Sequence, residues 1–156
     1  MDGFDGVGMA HAFRPIADSL REDRFAAPDA GWTAEQVGAH VALNNESWTE
    51  AALTAAQGGE IRYDNGRAVH AAVLDAYVSR CGSLDALADR VLASADELEA
   101  AFVALTPDQR ELSVQVTIRD GGEVVVEGPH RLDTFVEINA TRHVAMHLDQ
   151  LLALRG

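Results

Sequence analysis

Residues 33–57 carry the clearest secondary-structure signal in the sequence, a long helix with both of its ends marked. Thr33 and Gln36 form a capping-box pattern, in which each side chain satisfies a free backbone N–H of the first turn. Gly58-Gly59 ends the helix, because glycine readily takes the left-handed conformation found at helix ends. At helical spacing, the inward stripe mixes apolar and polar side chains. Its members are Val37, His40, Val41, Asn44 and Trp48.

Helical spacing of apolar residues extends over most of the remaining chain. It predicts a first helix over about residues 9–25 and a third over about residues 67–80. After a break at Cys81-Gly82-Ser83, the pattern continues over about residues 84–105. A last helix is predicted over about residues 132–154. Its inward stripe consists of Leu132, Phe135, Val136, Asn139, His143, His147, Gln150, Leu151 and Leu154.

Three shorter segments have other signals. Residues 106–109 form a second capping box with proline at the first helical position, which predicts a short helical turn. Residues 112–128 contain the alternating segment SVQVTIRD, Gly121-Gly122 and the β-branched run EVVVE, which together predict a β-hairpin. A lone hairpin is marginally stable, so we expect it to pack on the helices. The segment EIRYDNGR, residues 60–67, is predicted to be a loop with an Asn-Gly turn.

Length and charge restrict the class of protein. A chain of 156 residues predicts a single domain, residues 1–156, and 25 acidic against 12 basic residues give a net charge of -13. That charge repels nucleic acid and anionic membranes, and no segment is apolar enough to span a bilayer. The N-terminus lacks the basic region of a signal peptide, and the lone Cys81 cannot form an internal disulfide. We expect a soluble cytoplasmic protein, with homodimerisation left open.

The last helix holds two histidines at a spacing that suits a metal. His143 and His147 are four residues apart, so their rings stack one turn apart on the same helix face. The pair alone is a weak signal, because helical histidine pairs occur by chance on surfaces. Their alignment with Val136 and Leu151 instead points them inward. Two unpartnered imidazoles there would be costly to desolvate, and either a shared metal or hydrogen bonds to buried groups would remove that cost.

His40, in the middle of the second helix, adds a third inward histidine. A single such residue is more often a hydrogen-bonded core residue than a ligand, but three from two helices form a ligand set. Imidazole nitrogen suits zinc, nickel, copper or iron. Three protein ligands also leave a coordination position open, as in catalytic sites. The sequence therefore predicts a divalent-metal site on His40, His143 and His147.

Two segments resemble a known family. WTAEQVGAH, residues 32–40, is similar to the tryptophan-led start of the second helix in DinB-like proteins, in particular the N-terminal domain of mycothiol-dependent maleylpyruvate isomerases. HVAMHLDQL, residues 143–151, is similar to the His-x-x-x-His segment that ends the DinB-like domain. The resemblance implies a mainly α-helical, DinB-type four-helix bundle, here with a small β-hairpin before the last helix. It also implies a metal, usually zinc or nickel, on residues that correspond to His40, His143 and His147.

The resemblance further implies thiol chemistry, because several such families are S-transferases or isomerases that use mycothiol, bacillithiol or glutathione. Two departures argue against maleylpyruvate isomerisation itself. His143 stands where the isomerase branch usually has a glutamate, and the sequence leaves no room for the C-terminal domain of the full isomerase. The expectation is a metal-dependent thiol S-transferase that acts on a small electrophile.

Two alternatives remain open. One is a non-catalytic bundle that binds a metal or ligand or serves as an interaction module. The other is a metal-dependent hydrolase, which the lack of an obvious inward carboxylate near His147 disfavours. Polar and aromatic neighbours of the three histidines are expected either to line the site and orient a ring or simply to pack and form interhelical hydrogen bonds. These neighbours are Asn44, Trp48, Asn139 and Gln150, whereas Asp149, Arg142, His11, His70, His130 and Cys81 are expected to be surface or packing residues.

Overall fold

The computed structural model describes residues 3–156, so the first two residues of the acidic N-terminus lie outside the description. The described chain is mainly helical with one small sheet, as expected. A 3-10 turn at Met9–Phe13 precedes the first α-helix. The helices are α1 (Arg14–Glu22), α2 (Ala34–Gln57), α3 (Gly66–Val69), α4 (Ala71–Cys81), α5 (Leu84–Val103), α6 (Pro107–Arg110), α7 (Leu132–Ile138) and α8 (Val144–Ala153).

Helix α2 lies at the centre of the helical packing. Its predicted capping box is confirmed: the Gln36 N–H donates to Thr33 Oγ1 at 3.2 Å, and the Thr33 N–H donates to Gln36 Oε1 at 3.0 Å. Gly58 ends the helix with φ 74°. Helix α2 packs against α1, α4, α5 and α8. The residues on its inward stripe are all buried, as predicted.

The core between these helices is closely filled with apolar side chains. Burying this area supplies most of the favourable free energy of folding. Within the described residues, no helix is both long and apolar enough to cross a bilayer. The largest fully buried side chains are Trp48, Phe13, Phe102, Ile16, Leu20, Leu74, Leu87, Leu98, Leu132 and Leu151.

The predicted hairpin is present, and a third strand joins it. Strand β2 (Ser113–Asp120) pairs antiparallel with β3 (Glu123–Arg131), and Gly121 and Gly122 take φ of 58° and 86° at the turn. The prediction that residues 60–67 form a loop was wrong. They contain strand β1 (Ile61–Asp64), which pairs parallel with β2, and the start of α3. Alternate burial of Ile61 and Tyr63 stabilises β1, and a third strand makes the sheet more stable than a lone hairpin.

The first and third predicted helices differ from their expected form. The first ends at Glu22 rather than Phe25, because the chain turns extended at Asp23 and Phe25 bridges to Arg155 near the C-terminus. The predicted third helix is divided at His70, which is extended with ψ 117°.

The predicted last helix runs as one continuous helical segment, but it is not α-helical throughout. A π-helical turn at Asn139–His143 separates α7 from α8. A π-turn carries i→i+5 hydrogen bonds, so it changes the angular register between the residues before and after it. Such turns are frequent at functional sites, and this one holds two of the buried or half-buried polar residues of the predicted inward stripe.

We predict that Thr33→Ala lowers the free energy of unfolding by about 1 kcal/mol, because the first turn of α2 loses a hydrogen-bond acceptor. Chemical denaturation would measure the change. Thr33→Ser is the matched control, since it keeps the hydroxyl and should retain most of the stability. Equal losses in the two variants would contradict the capping role.

Candidate metal centre

The three predicted histidines meet at one point. His40 comes from α2, His143 from the end of the π-turn and His147 from α8. The Nε2 atom of His143 lies 2.9 Å from Nε2 of His40 and 3.0 Å from Nε2 of His147. Among the described residues, these three form the group whose ligand atoms, all within 4.8 Å of one another, could hold a metal ion.

Hydrogen bonds hold the outer nitrogen of two of the rings. His40 Nδ1 lies 2.5 Å from the backbone oxygen of Ala68, and His147 Nδ1 lies 2.9 Å from Gln150 Oε1. Both oxygens are acceptors, so each Nδ1 carries the proton. The Nε2 lone pairs of His40 and His147 are consequently directed at the common point, which is how ring partners orient metal ligands in proteins.

Two of the three distances between Nε2 atoms are close to those of a tetrahedral zinc site. Ligand nitrogens at about 2.0–2.1 Å from zinc stand about 3.3 Å from one another in a tetrahedral site. The contacts of 2.9 Å and 3.0 Å are a few tenths of an ångström shorter. Small ring movements would therefore admit the ion, and three protein ligands leave a fourth position open.

Burial keeps the three imidazoles neutral. Desolvation, with a smaller contribution from the charge of His147, lowers the pKa of His40 to about 3. Desolvation and the two neighbouring rings lower the pKa of His143 well below its usual value. Desolvation also lowers the pKa of His147, against the opposite effect of the hydrogen bond that its ring donates to Gln150. Because a metal binds neutral and not protonated imidazole, none of the three rings has to lose a positive charge before it binds a metal at neutral pH.

A cleft of about 470 Å³ opens over the cluster. Half-buried Trp32 borders it, with its ring centroid 4.7 Å from that of His40 and 6.3 Å from that of His147. Exposed apolar side chains of Val125 and Met146 also border the cleft. The remaining residues that line it are Gly31, His40, Asn65, Val69, Ile118, Arg119, Asp120, His143, His147 and Gln150.

A smaller cavity of about 80 Å³ lies on the inner side of the cluster, and His40 and His143 line both spaces. No Asp, Glu, Lys or Arg is among the residues described in its lining. The cluster therefore borders a polar-edged cleft and a largely apolar inner space. The inner cavity is completed by Asn44, Trp48, Tyr63, Asn65, Ile118, Phe135, Ile138 and Asn139.

Sequence reasoning missed Tyr63 and Ala68. Tyr63 stacks on Trp48, with centroids 3.8 Å apart and an interplanar angle of 5°, and donates its hydroxyl to Asn44 Oδ1. Burial raises the pKa of Tyr63 well above its usual value. The alternation in IRYD was the signal that could have placed Tyr63 on a buried strand face. No sequence signal identifies Ala68, because its backbone carbonyl, and not its side chain, accepts the hydrogen bond from His40.

The other candidates lie where they were expected. Gln150 orients His147, and Asn44 and Asn139 hydrogen-bond to each other between helices at 2.6 Å. Cys81 is half-buried, and burial raises its thiol pKa, which makes it a poor nucleophile. The remaining polar candidates are exposed and outside the cluster: His11, His70, His130, Arg142 and Asp149.

Comparisons with known proteins agree with this architecture. The family model of the mycothiol maleylpyruvate isomerase N-terminal domain matches residues 9–127. No curated protein matches the sequence. A crystal structure of the mycothiol-dependent maleylpyruvate isomerase matches with a TM-score of 0.67 at 17% identity, over 94% of this chain. The chain spans 59% of the length of that structure, and the likeness shows a shared fold. The chain thus belongs to the mycothiol maleylpyruvate isomerase N-terminal domain family of the DinB-like superfamily.

Proposed function

We propose that this protein holds one divalent cation on His40, His143 and His147 and uses it in the transfer of a low-molecular-weight thiol to a small electrophile. The observation that carries the proposal is the convergence of three neutral Nε2 atoms beneath an open cleft. Zinc and nickel are the proposed ions, because the family resemblance implies them and imidazole ligands suit both. When bound, such an ion lowers the pKa of a thiol and stabilises its anion for attack.

The surroundings of the cluster indicate what each residue contributes. Ala68 and Gln150 orient two of the ligand rings. Trp32 shields the outer faces of His40 and His147 from water. The cleft combines apolar and polar walls, which suits a thiol cosubstrate with a polar body, and mycothiol is the thiol named for the related structure. The inner cavity has a largely apolar wall, so a small uncharged electrophile fits it better than an anionic one.

We also infer that the helical core is the DinB-type four-helix bundle. Helices α1, α2, α5 and α8 are the four candidates, because α2 packs on all three others and α1 packs on α5 and α8. In this arrangement the ligands come from the second and the last of the four helices. That is the distribution implied by the family resemblance.

A metal-dependent hydrolase is the second candidate. Asp120, at the exposed end of β2, lines the cleft above the cluster and is a carboxylate that could act as a general base. In this case a bound water replaces the thiol as nucleophile, and turnover proceeds without any added thiol.

Metal content tests the first half of the proposal. We expect protein purified under metal-replete conditions to contain one divalent ion per chain by elemental analysis. His143→Ala should lose most of the bound metal, because only two imidazole ligands remain. His11→Ala, which removes an exposed histidine outside the cluster, should keep the full content. Wild-type protein without a stoichiometric ion would refute the site.

The orienting role of Gln150 gives a second prediction. Gln150→Ala removes the acceptor for His147 Nδ1 and should weaken metal affinity roughly 10- to 100-fold. Competition with a chromophoric chelator would measure the dissociation constant. Gln115→Ala, which alters an exposed glutamine on β2, is the control and should bind as the wild type does. Unchanged affinity in Gln150→Ala would show that the hydrogen bond does not orient the ligand.

Thiol dependence tests the second half. We expect electrophile conjugation by the metal-loaded protein to require a thiol, with mycothiol more effective than bacillithiol or glutathione. Removing the metal with a chelator should abolish turnover, and so should His40→Ala. Adding the metal back should restore turnover to the chelator-treated wild-type protein but not to His40→Ala. Turnover without thiol would support the hydrolase. No turnover with any thiol in protein of full metal content would support a non-catalytic binding role.

A further inference from the structure

A series of buried polar side chains begins behind His143. The Nδ1 atom of His143 lies 3.5 Å from the amide nitrogen of Asn44. That nitrogen also donates to Asn139 Oδ1 at 2.6 Å, and Asn44 Oδ1 accepts the hydroxyl proton of Tyr63. Asn44 and Asn139 are each 3% exposed, and both line the inner cavity.

The series continues across the core to α5. Asn139 Nδ2 donates to Asn45 Oδ1 at 3.0 Å, and Asn45 Nδ2 donates to Ser94 Oγ at 3.2 Å. The Ser94 hydroxyl donates to the backbone oxygen of Val91 at 2.9 Å. Asn45 and Ser94 are completely buried. We call the four residues Asn44, Asn139, Asn45 and Ser94 the amide chain, and all its hydrogen bonds run in one direction.

This direction conflicts with metal binding by His143. A neutral imidazole that gives its Nε2 lone pair to a metal carries its proton on Nδ1, which then needs an acceptor. His40 and His147 face oxygen atoms at that position. His143 faces an amide nitrogen, which is a donor, so its Nδ1 is an acceptor and its proton is on Nε2. In this tautomer, the Nε2–H points at His40 and His147 instead of offering a lone pair.

Reversal of the amide chain removes the conflict without leaving a chain member unpaired. If all three amides exchange their oxygen and nitrogen positions, Asn44 Oδ1 accepts from His143 Nδ1 and from Asn139 Nδ2. Asn139 Oδ1 then accepts from Asn45 Nδ2, and Asn45 Oδ1 accepts the Ser94 hydroxyl proton. Asn44 Nδ2 turns to the Tyr63 hydroxyl oxygen. Every chain member keeps a partner, whereas the Tyr63 hydroxyl proton loses Asn44 Oδ1 as its acceptor. The reversed direction therefore carries a cost that metal ligation by His143 has to offset.

We propose that the amide chain is a two-state element that sets the tautomer of His143, with Asn44 as the positioning residue. Cation binding selects the direction in which the Asn44 oxygen faces His143. The proposal rests on the proposed metal site but not on thiol chemistry. It makes metal affinity depend on Asn45 and Ser94, which do not belong to the candidate ligand group.

Two isosteric substitutions each fix one hydrogen-bond direction of the amide chain. In Asn44→Asp, both carboxylate oxygens accept, so the acceptor state facing His143 is fixed, and we expect metal affinity equal to or tighter than that of the wild type. In Asn139→Asp, the carboxylate accepts from Asn44 and holds its N–H toward His143, and we expect at least about tenfold weaker binding. Chelator competition with zinc would give both dissociation constants, and thermal unfolding would verify that both variants fold.

Changes in metal affinity of opposite sign in these two variants would exclude simpler explanations. Each substitution adds one negative charge near the cation, so electrostatic attraction alone would tighten both. Loss of packing alone would weaken both. Asn65→Asp supplies a control for charge, since Asn65 lines both cavities but hydrogen-bonds to the backbone of Arg119 and not to the chain. Affinity changes of the same sign in Asn44→Asp and Asn139→Asp would overturn the proposal.

Nitrogen-15 NMR of the wild-type imidazoles gives a test that needs no variant. In metal-free protein, we expect the His143 proton on Nε2 and the His40 and His147 protons on Nδ1. Zinc should move the His143 proton to Nδ1. A His143 proton already on Nδ1 before zinc is added would overturn the proposal, even if zinc binds. Failure of zinc to bind would instead refute the proposed metal site, so the two failures are distinguishable.

Discussion

Three imidazole rings buried at one point between α2 and the last helical segment carry a large desolvation cost, and their nitrogens need partners. The structure meets this need with groups from separate parts of the chain. The Ala68 carbonyl comes from α3, Gln150 from α8 and Asn44 from α2 itself. The inward Nε2 atoms face one another, and a shared cation would satisfy them together. The polar cluster thus ties the central helix α2 to α3 and α8.

Local irregularities of the fold are concentrated around this cluster. The π-turn places Asn139 and His143 at the centre of the polar network. The short helix α3 brings a backbone carbonyl to His40, and strand β1 brings Tyr63 to Asn44. Without α3 and β1 in these places, His40 Nδ1 and Asn44 Oδ1 would lack these partners. The irregularities and the buried polar groups therefore depend on one another.

The sequence predicted the helices that carry the candidate ligands because their signals are local. The capping box of Thr33 and Gln36 needs only four residues, and the spacing of His143 and His147 needs one helical turn. It did not predict β1, because Ile61 and Tyr63 are stabilised as a strand by pairing with β2, some fifty residues away along the chain. The π-turn was missed for a similar reason, since its residues also fit a regular α-helical pattern.

For this protein, the sequence alone determined which side chains are available at the site and which helix faces carry them. Periodicity is a property of neighbouring residues, so it placed His40, His143 and His147 on inward stripes. Only the tertiary structure decided that the three Nε2 atoms meet and which oxygen fixes the rings of His40 and His147. It also decided that Asn44 presents a nitrogen to His143. These outcomes depend on hydrogen bonds between residues up to 103 positions apart and on a backbone carbonyl, neither of which a linear pattern records.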